Sequence, residues 1–356
     1  MSLAFSFASG MAVGLAIRRS YSVRTSPSYL FFFSTRGRSG WGTKKTRADL
    51  ESRISEFCKE EESKNPEDET QVLVKSLAGN VAERDADAFD VLGEFRRFLK
   101  TEYLGRTGFY APVLPSSQTL LYESFDGVLQ EGLICIVDRQ SKGKGRGGNS
   151  WVSPQGCAMC SFKFQETSGR KVPFLQYLIA LAVHRAIKSL PGGEHIDVGI
   201  KWPNDIYVDK KIKIGGVLSQ SKFSDNKFDV TIGMGINTTN EEPTVSLNSK
   251  LPKGFPRISR EQLLAEVLNQ FESMMPTFRK EGFKPFHEDY KRAWLHTDQN
   301  VQVCLKDGKD PIMVQIKGIC EASAGLYAID KNNKPYELYP DGNSFDFFKG
   351  LIRRKL

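Results

Sequence analysis

The sequence predicts an α+β fold, a mixed β-sheet with helices, followed by a small all-β barrel. Three observations carry that reading. Short apolar runs of strand length, bounded by turn residues, recur between residues 133 and 237. Two long helical patterns fall among and after them without regular alternation, which argues against a doubly wound sheet. From residue 296 onward only short strand patterns remain.

The elements follow in order. LICIVD (133–138) has a strand's length and leads into DRQSKGKGRGGNSW (138–151), a loop mixing four cations with four glycines. CAMCSFKF (157–164) reads as the next strand. VPFLQYLIALAVHRAIKSL (172–190) puts Leu175, Leu178, Ala182, Ala186 and Leu190 at helical spacing, and Pro191-Gly192-Gly193 ends that buried helix. IDVGI (196–200) is a strand ending at Lys201. IYV and IKIGGVLSQS flank Asp209-Lys210-Lys211 as a hairpin, and FDVTIGMGIN (228–237) is a strand finishing in glycines. Ser259 with Gln262 reads as a capping box opening an amphipathic helix to about Lys280. NVQVCL, IMVQIKGIC, LYAID and YELYP supply the barrel. The expected division is a leader at 1–48, a linker or N-terminal extension at 49–95, a central α+β domain at 96–295 and the barrel at 296–356. The polar run CKEEESKNPEDET (58–70) has too few apolar residues to join a core.

The formal charge of +8 sits at one end. Residues 1–48 hold eight Lys and Arg and no acid, so 42 basic residues face 42 acidic ones in the rest of the chain. A basic, hydroxylated, acid-free N-terminus reads as an organellar transit peptide, for chloroplast, mitochondrion or both, with a cytosolic form from an internal start as a further option. Its apolar runs MAVGLAI and LFFF are too short to cross a bilayer, and no later run is long enough. The neutral body argues against nucleic acid as a partner. Six scattered cysteines fit a reduced interior rather than a disulfide scaffold.

Gly143-x-Gly145-x-x-Gly148 matches the dinucleotide fingerprint, but the fingerprint needs a helix opening on the pyrophosphate, and Asn149-Ser150-Trp151-Val152-Ser153-Pro154 is poor helix sequence. Cys157 and Cys160, three apart on a strand, point to opposite faces and read as small strand residues rather than a metal or redox pair. The four histidines show neither metal spacing nor a triad. KWPND (201–205) differs: Pro203 fixes the backbone and Asn204 and Asp205 favour a turn, so Lys201 is held rigidly at a strand's C-terminal end, where open sheets bind ligands. The glycine loop spends conformational entropy on ordering. It is expected to be disordered without a ligand and to close over an anion.

The loop, KWPND, Gly215-Gly216-Val217-Leu218 and Gly233-Met234-Gly235-Ile236-Asn237, in that order over about 110–240, resemble the biotin–protein ligase (holocarboxylase synthetase) family, and PDGNSFDFFKGLIRR looks like its plant members. The resemblance implies the biotin/lipoate ligase catalytic fold with an SH3-like C-terminal barrel. It implies ATP and Mg2+, biotin as substrate, biotinyl-5'-adenylate as intermediate, and transfer to a lysine of a carboxylase carrier domain. Lys201 and Arg146 are then the catalytic cations. Ser116, Ser117, Gln118, Gln140, Lys144, Gly145, Arg146 and Lys201 match biotin-binding positions; Gly143, Lys144, Arg146, Trp151, Lys201 and Asn237 match adenylate-side positions. The magnesium ligands stay unassigned. Where the family usually has G-R-G-R, this chain has Gly143-Lys144-Gly145-Arg146, which keeps the charge but not the first guanidinium fork. The runner-up is a lipoate–protein ligase of the same fold, against which KWPND and G-K-G-R argue. A DNA-binding regulator is the alternative of another class, and 49–110 shows no clear helix-turn-helix for it.

Overall fold

A computed structural model of the chain describes residues 88–123, 131–240, 245–304 and 311–339, together with strands at Ser28–Ser34, Val72–Ser76, Asn343–Asp346 and Leu351–Arg354. Nine strands form the main sheet: β1 (Ser28–Ser34), β2 (Val72–Ser76), β3 (Thr107–Leu114), β4 (Ile134–Gln140), β5 (Cys157–Glu166), β6 (Val198–Lys201), β7 (Asp205–Val208), β8 (Ile212–Ser224) and β9 (Lys227–Asn237). Their order is β2-β1-β3-β4-β5-β9-β8-β7-β6. The β1–β2 and β3–β4 pairs are parallel and every other neighbour is antiparallel, so the sheet is mixed, as expected.

Strand alternation divides the work between the two faces. Along β5 and β9, Ala158, Cys160, Phe162 and Phe164 pair with Ile236, Met234, Ile232 and Val230, and all belong to the hydrophobic core. The opposite face carries Ser161 against Gly233, Met159 against Gly235 and Lys163 against Thr231. Apart from Met159 the side chains there are small or polar, and the candidate site lies on that face.

Four helices have defined places: α1 (Ser117–Glu123), α2 (Leu175–Ser189), α3 (Arg260–Glu281) and α4 (His287–Ala293). Helix α2 is buried on nearly every side, which explains its apolar composition, and Gly192 beyond its end takes φ 83°. Helix α3 sets Phe271 edge-on against Phe162 and Phe164, with ring centroids 5.6 and 5.8 Å apart. Its N-cap is the predicted one: the Ser259 hydroxyl accepts the Gln262 N–H at 3.0 Å. That hydroxyl donates its own proton to Glu94 at 2.8 Å, tying the cap to the short helical segment Val91–Phe95.

The C-terminal strands form a separate sheet of β10 (Asn300–Cys304), β11 (Ile312–Ile319), β12 (Leu326–Asp330), β13 (Pro335–Leu338), β14 (Asn343–Asp346) and β15 (Leu351–Arg354), ordered β13-β12-β11-β10-β15-β14. The first four are those the sequence predicts.

Two strands at the N-terminal side lie upstream of the expected central domain. β1 falls within the stretch read as a leader, and β2 within the stretch read as a linker, yet both extend the main sheet beyond β3. Phe89, Val91 and Phe95 also join the core upstream of residue 96. The run LFFF supplies strand-forming backbone that β3's open edge can pair, and VLV pairs the new edge that β1 presents, a pull that the surrounding charge and hydroxyl content conceals. The run at 58–70 lies outside the described residues.

Candidate active site

A cavity of about 480 Å3 opens on the polar face of the sheet. Its floor is β9 and β8, its roof is α1 and the glycine loop, and its side wall is the end of β6. Two glycines make the room. A Cβ on Gly233 would stand 2.5 Å from Gln118 Oε1, and one on Gly235 would stand 2.8 Å from Trp151 Nε1. Those contacts are below any van der Waals separation, so the roof can come this close only because the floor lacks side chains.

Helix α1 brings the hydroxyl and amide groups. Ser116 Oγ accepts the Thr119 N–H at 3.3 Å. Gln140 Oε1, from the end of β4, accepts the Ser117 N–H at 2.8 Å and lies 3.2 Å from Ser117 Oγ, which is 2.9 Å from Ser161 Oγ. Gln118 donates from Nε2 to Gln220 Oε1 at 3.0 Å and to the Thr231 carbonyl at 3.1 Å. Its buried Oε1 has no partner, and neither does the buried Trp151 Nε1. Buried polar atoms are nearly always hydrogen-bonded, so an unpaired acceptor and an unpaired donor on one cavity suit a polar ligand. Beneath α1, Lys163 pairs with Asp229 at 2.5 Å, both buried, and its ammonium also reaches the Leu121 carbonyl at 3.4 Å.

The glycine loop takes a definite backbone path. Gly145 N–H bonds the Asn149 carbonyl at 2.7 Å, Trp151 N–H bonds the Gly143 carbonyl at 2.8 Å, and Lys144 bridges to Ser150. These bonds close a hairpin, with a turn at Arg146–Gly148 in which Gly147 and Gly148 take φ 62° and 78°. Its foot is anchored by Asp138, whose carboxylate accepts the Tyr110 hydroxyl at 2.6 Å and meets Arg260 Nη1 at 2.6 Å. No helix follows the loop, as the sequence indicates. The Gly145 N–H is already engaged, so the loop offers its cations more than this donor. Lys144 and Arg146 line the cavity, and Lys144 also lies 3.4 Å from exposed Glu123.

Lys201 ends β6 inside the cavity, mostly buried, with Nζ 4.0 Å from Asp205 Oδ2 and 5.6 Å from the Tyr207 ring centre. The Trp202–Pro203 peptide that follows is cis. Asp205 also holds Lys213 at 2.7 Å, and Lys213 Nζ sits 5.4 Å from the Trp151 ring centre. Asp205 is the single carboxylate among the described lining residues, against Lys144, Arg146, Lys201 and Lys213.

The structure therefore brings together Ser116, Ser117, Gln118, Gln140, Lys144, Gly145, Arg146, Trp151 and Lys201. Gly143 lines a neighbouring groove rather than this cavity. Asn237 is not among the lining residues of either; its amide oxygen accepts the Cys157 thiol at 2.9 Å. Burial pushes that thiol up to about 12 and raises Cys160 as well, so the Cys-x-x-Cys pair is inert structure. Sequence reading missed Lys213 and Ser161, which become visible only through strand register. It also missed Leu338 and Tyr339, which the C-terminal sheet contributes. No group of three or more His, Cys, Asp or Glu side chains with metal-binding proximity occurs among the described residues.

The comparisons first fix a class. Residues 110–237, which hold α1, the loop, Lys201 and both floor glycines, match the model of the biotin/lipoate A/B protein ligase family. Biotin–protein ligase 1, chloroplastic, of Arabidopsis thaliana is 38% identical over 320 residues, covering 87% of this chain and 86% of that protein. Biotin–protein ligase 2 of the same plant is 40% identical over 294 residues, 80% of this chain and 88% of that protein. A structure of the Aquifex aeolicus biotin protein ligase in complex with biotin and ATP is similar in fold, with a TM-score of 0.52 at 23% identity, covering 70% of this chain and 99% of that one. The chain belongs to the biotin–protein ligase family, and it is an enzyme of that kind, a ligase that joins biotin to protein.

Proposed function

We propose that the cavity catalyses both halves of protein biotinylation. The observation that carries this is its charge: four cations and one carboxylate line a cavity with a buried unpaired acceptor and a buried unpaired donor. A carboxylate and a triphosphate repel each other, and such a cavity offsets that repulsion. The biotin carboxylate oxygen attacks the α-phosphorus of ATP, pyrophosphate leaves, and biotinyl-5'-adenylate forms. Lys201, at the meeting point of carboxylate and α-phosphate, and Arg146 neutralise the charge that develops on the phosphate oxygens. A neutral acceptor lysine then attacks the acyl carbon, AMP leaves, and an amide forms.

Ser116, Ser117, Gln118 and Gln140 hold biotin, with Gln118 Oε1 free to accept a ureido N–H. Trp151 lies against adenine, and Asn237 acts on the nucleotide side through its neighbours. Magnesium would come with the triphosphate. It binds such sites through one or two carboxylates plus phosphates, and Asp205 is the residue that could supply one. The acceptor is a carrier domain of a biotin-dependent carboxylase. The second sheet closes as a small SH3-like barrel, and the central and C-terminal domains keep the boundary near 295–296. The basic N-terminus directs import into the plastid, as the name of the chloroplastic relative suggests, with the cut falling before Ser28 so that β1 is retained. Incubation with ATP, labelled biotin and a carrier domain should place label on one lysine, and biotin, not lipoate, should raise the melting temperature. Label or stabilisation from lipoate instead would move the assignment to the sibling ligases.

A further inference from the structure

Lys201 is only as well placed as the end of β6, and β6 is the edge strand of its sheet. An edge leaves one row of backbone groups without a strand partner. Here the connection between α4 and the second sheet covers it. Trp294 forms a parallel bridge to Ile200, and the Leu295 N–H bonds the Ile200 carbonyl at 2.9 Å. The next donor along, the Trp202 N–H, has passed the end of the strand. His296 Nε2 accepts it at 2.9 Å. The tautomer follows from the other ring nitrogen, which faces Gln299 Oε1 at 2.9 Å and must therefore donate to it. The Trp202 indole is fixed as well: Nε1–H donates to the Tyr177 hydroxyl at 2.9 Å, and that hydroxyl donates at 2.6 Å to the carbonyl of Ala324, in the connection between β11 and β12. His296, Trp202 and Tyr177 are all buried, so none of these bonds has water to replace it.

We propose that His296 is a positioning residue for adenylate formation: together with the Tyr177 bridge to Ala324, it locks the backbone immediately after Lys201 and so fixes the ammonium relative to the reacting carboxylate and phosphate. This rests on the assignment of Lys201 above. Core packing alone does not require an imidazole lone pair at this point; a buried leucine of similar volume would fill the space. A lone pair is required only if the Trp202 N–H must be held in one place.

The test compares His296→Leu, His296→Gln and Tyr177→Phe in the full chain, with Lys201→Ala as control. Pyrophosphate release reports adenylate formation, and transfer from supplied biotinyl-adenylate to a carrier domain reports the second step. An ångström of misplacement at a reacting group costs up to about a hundredfold, so His296→Leu should lower kcat for adenylation about ten- to a hundredfold while KM for biotin and ATP stays within about threefold. His296→Gln, whose amide oxygen reaches the same place, should restore most of the rate. Tyr177→Phe, which removes one oxygen and keeps the fold if His296→Leu does not, should lower the same step in the same direction. Transfer from supplied adenylate should change little. In the Lys201→Ala background the His296 change should add nothing, because it acts through that side chain. The proposal is overturned if folded His296→Leu or Tyr177→Phe adenylates at the normal rate, if glutamine fails to rescue, or if both steps fall together. Normal adenylation by Lys201→Ala would instead overturn the assignment of Lys201 itself.

Discussion

Lys201 and Lys213 share one carboxylate: Asp205 lies 4.0 Å from the first ammonium and 2.7 Å from the second. Lys201→Ala should cut adenylate formation on the order of a hundredfold to a thousandfold, as loss of one preorganised charge does, with little change in melting temperature. Pyrophosphate release near the wild-type rate from a folded variant would contradict this. The task proposed for Arg146 is different. Biotinyl-adenylate must be retained until the acceptor arrives, and a charge-assisted contact contributes roughly 1.5–3 kcal/mol, about ten- to a hundredfold in escape. Arg146→Gly should therefore still make adenylate but label bystander albumin more than the wild type does; equal albumin labelling at equal ATP consumption would remove Arg146 from that role. Much of the cavity's lining is legible in the sequence: Lys201 sits in KWPND, whose turn residues fix its backbone, and the family resemblance singles out Arg146, Gln140 and Trp151, all of which line the cavity. Lys213 is not legible. In IKIGG it looks like a hairpin lysine, and only the pairing of Asp205 with Gly216 across β7 and β8 brings its carboxylate partner into the cavity.

Among the elements, β9 is the most revealing. Its alternation sends Met234 and Ile236 into the core and leaves Gly233 and Gly235 as floor. The two floors should be separable. Gly233→Val displaces Gln118 and should raise KM for biotin, whereas Gly235→Val displaces the Trp151 indole and should raise KM for ATP, each by about tenfold or more, from loss of binding contacts worth at least ~1.4 kcal/mol. Initial-rate kinetics with each substrate varied in turn would decide it, and equal effects of both substitutions on both constants would argue against two subsites. β1 shows where sequence reading gives out. Acid-free composition marked 1–48 as a leader, but a strand is recruited by an available edge, and that edge belongs to β3, far away in sequence. Removal of residues 1–48 strips β1 from between β2 and β3, whereas removal of 1–27 leaves it. The longer deletion should lower Tm by about 4 °C or more relative to the shorter, equivalent to roughly 1–2 kcal/mol for a domain of this size. Identical melting of the two would mean that β1 contributes nothing to stability.

At the scale of the molecule, two buried histidines set a pH limit. Burial, with the Lys201 charge adding to it against the Gln299 bond, lowers His296 to about 4. Burial likewise lowers His184 to about 4, with Lys188 and Arg185 adding to it. Both pKa values are lower in the folded than in the unfolded chain, so the unfolded state binds the protons more tightly. Their stabilising effect is complete above about pH 6.5 and is lost as pH falls from 6.5 towards 4. For His296 alone the loss amounts to roughly 3 kcal/mol. Melting temperature should fall through that window, and His296→Gln should flatten the fall; an unchanged slope would show that His296 is not the group titrating. Four strands of the second sheet, β10 to β13, were legible, since each short run carries its own turn signals, but β14, β15 and the sheet's reach into the cavity were not, because nothing local marks Leu338 or Tyr339. Their position has a consequence for the order in which the molecule is made. The residues proposed to hold biotin leave the ribosome well before Leu338 and Tyr339, the last wall of the cavity. A growing chain, or one broken off before the second sheet, has the motifs but an open vessel, so the reactive anhydride should be neither made nor spilled until synthesis has passed Tyr339.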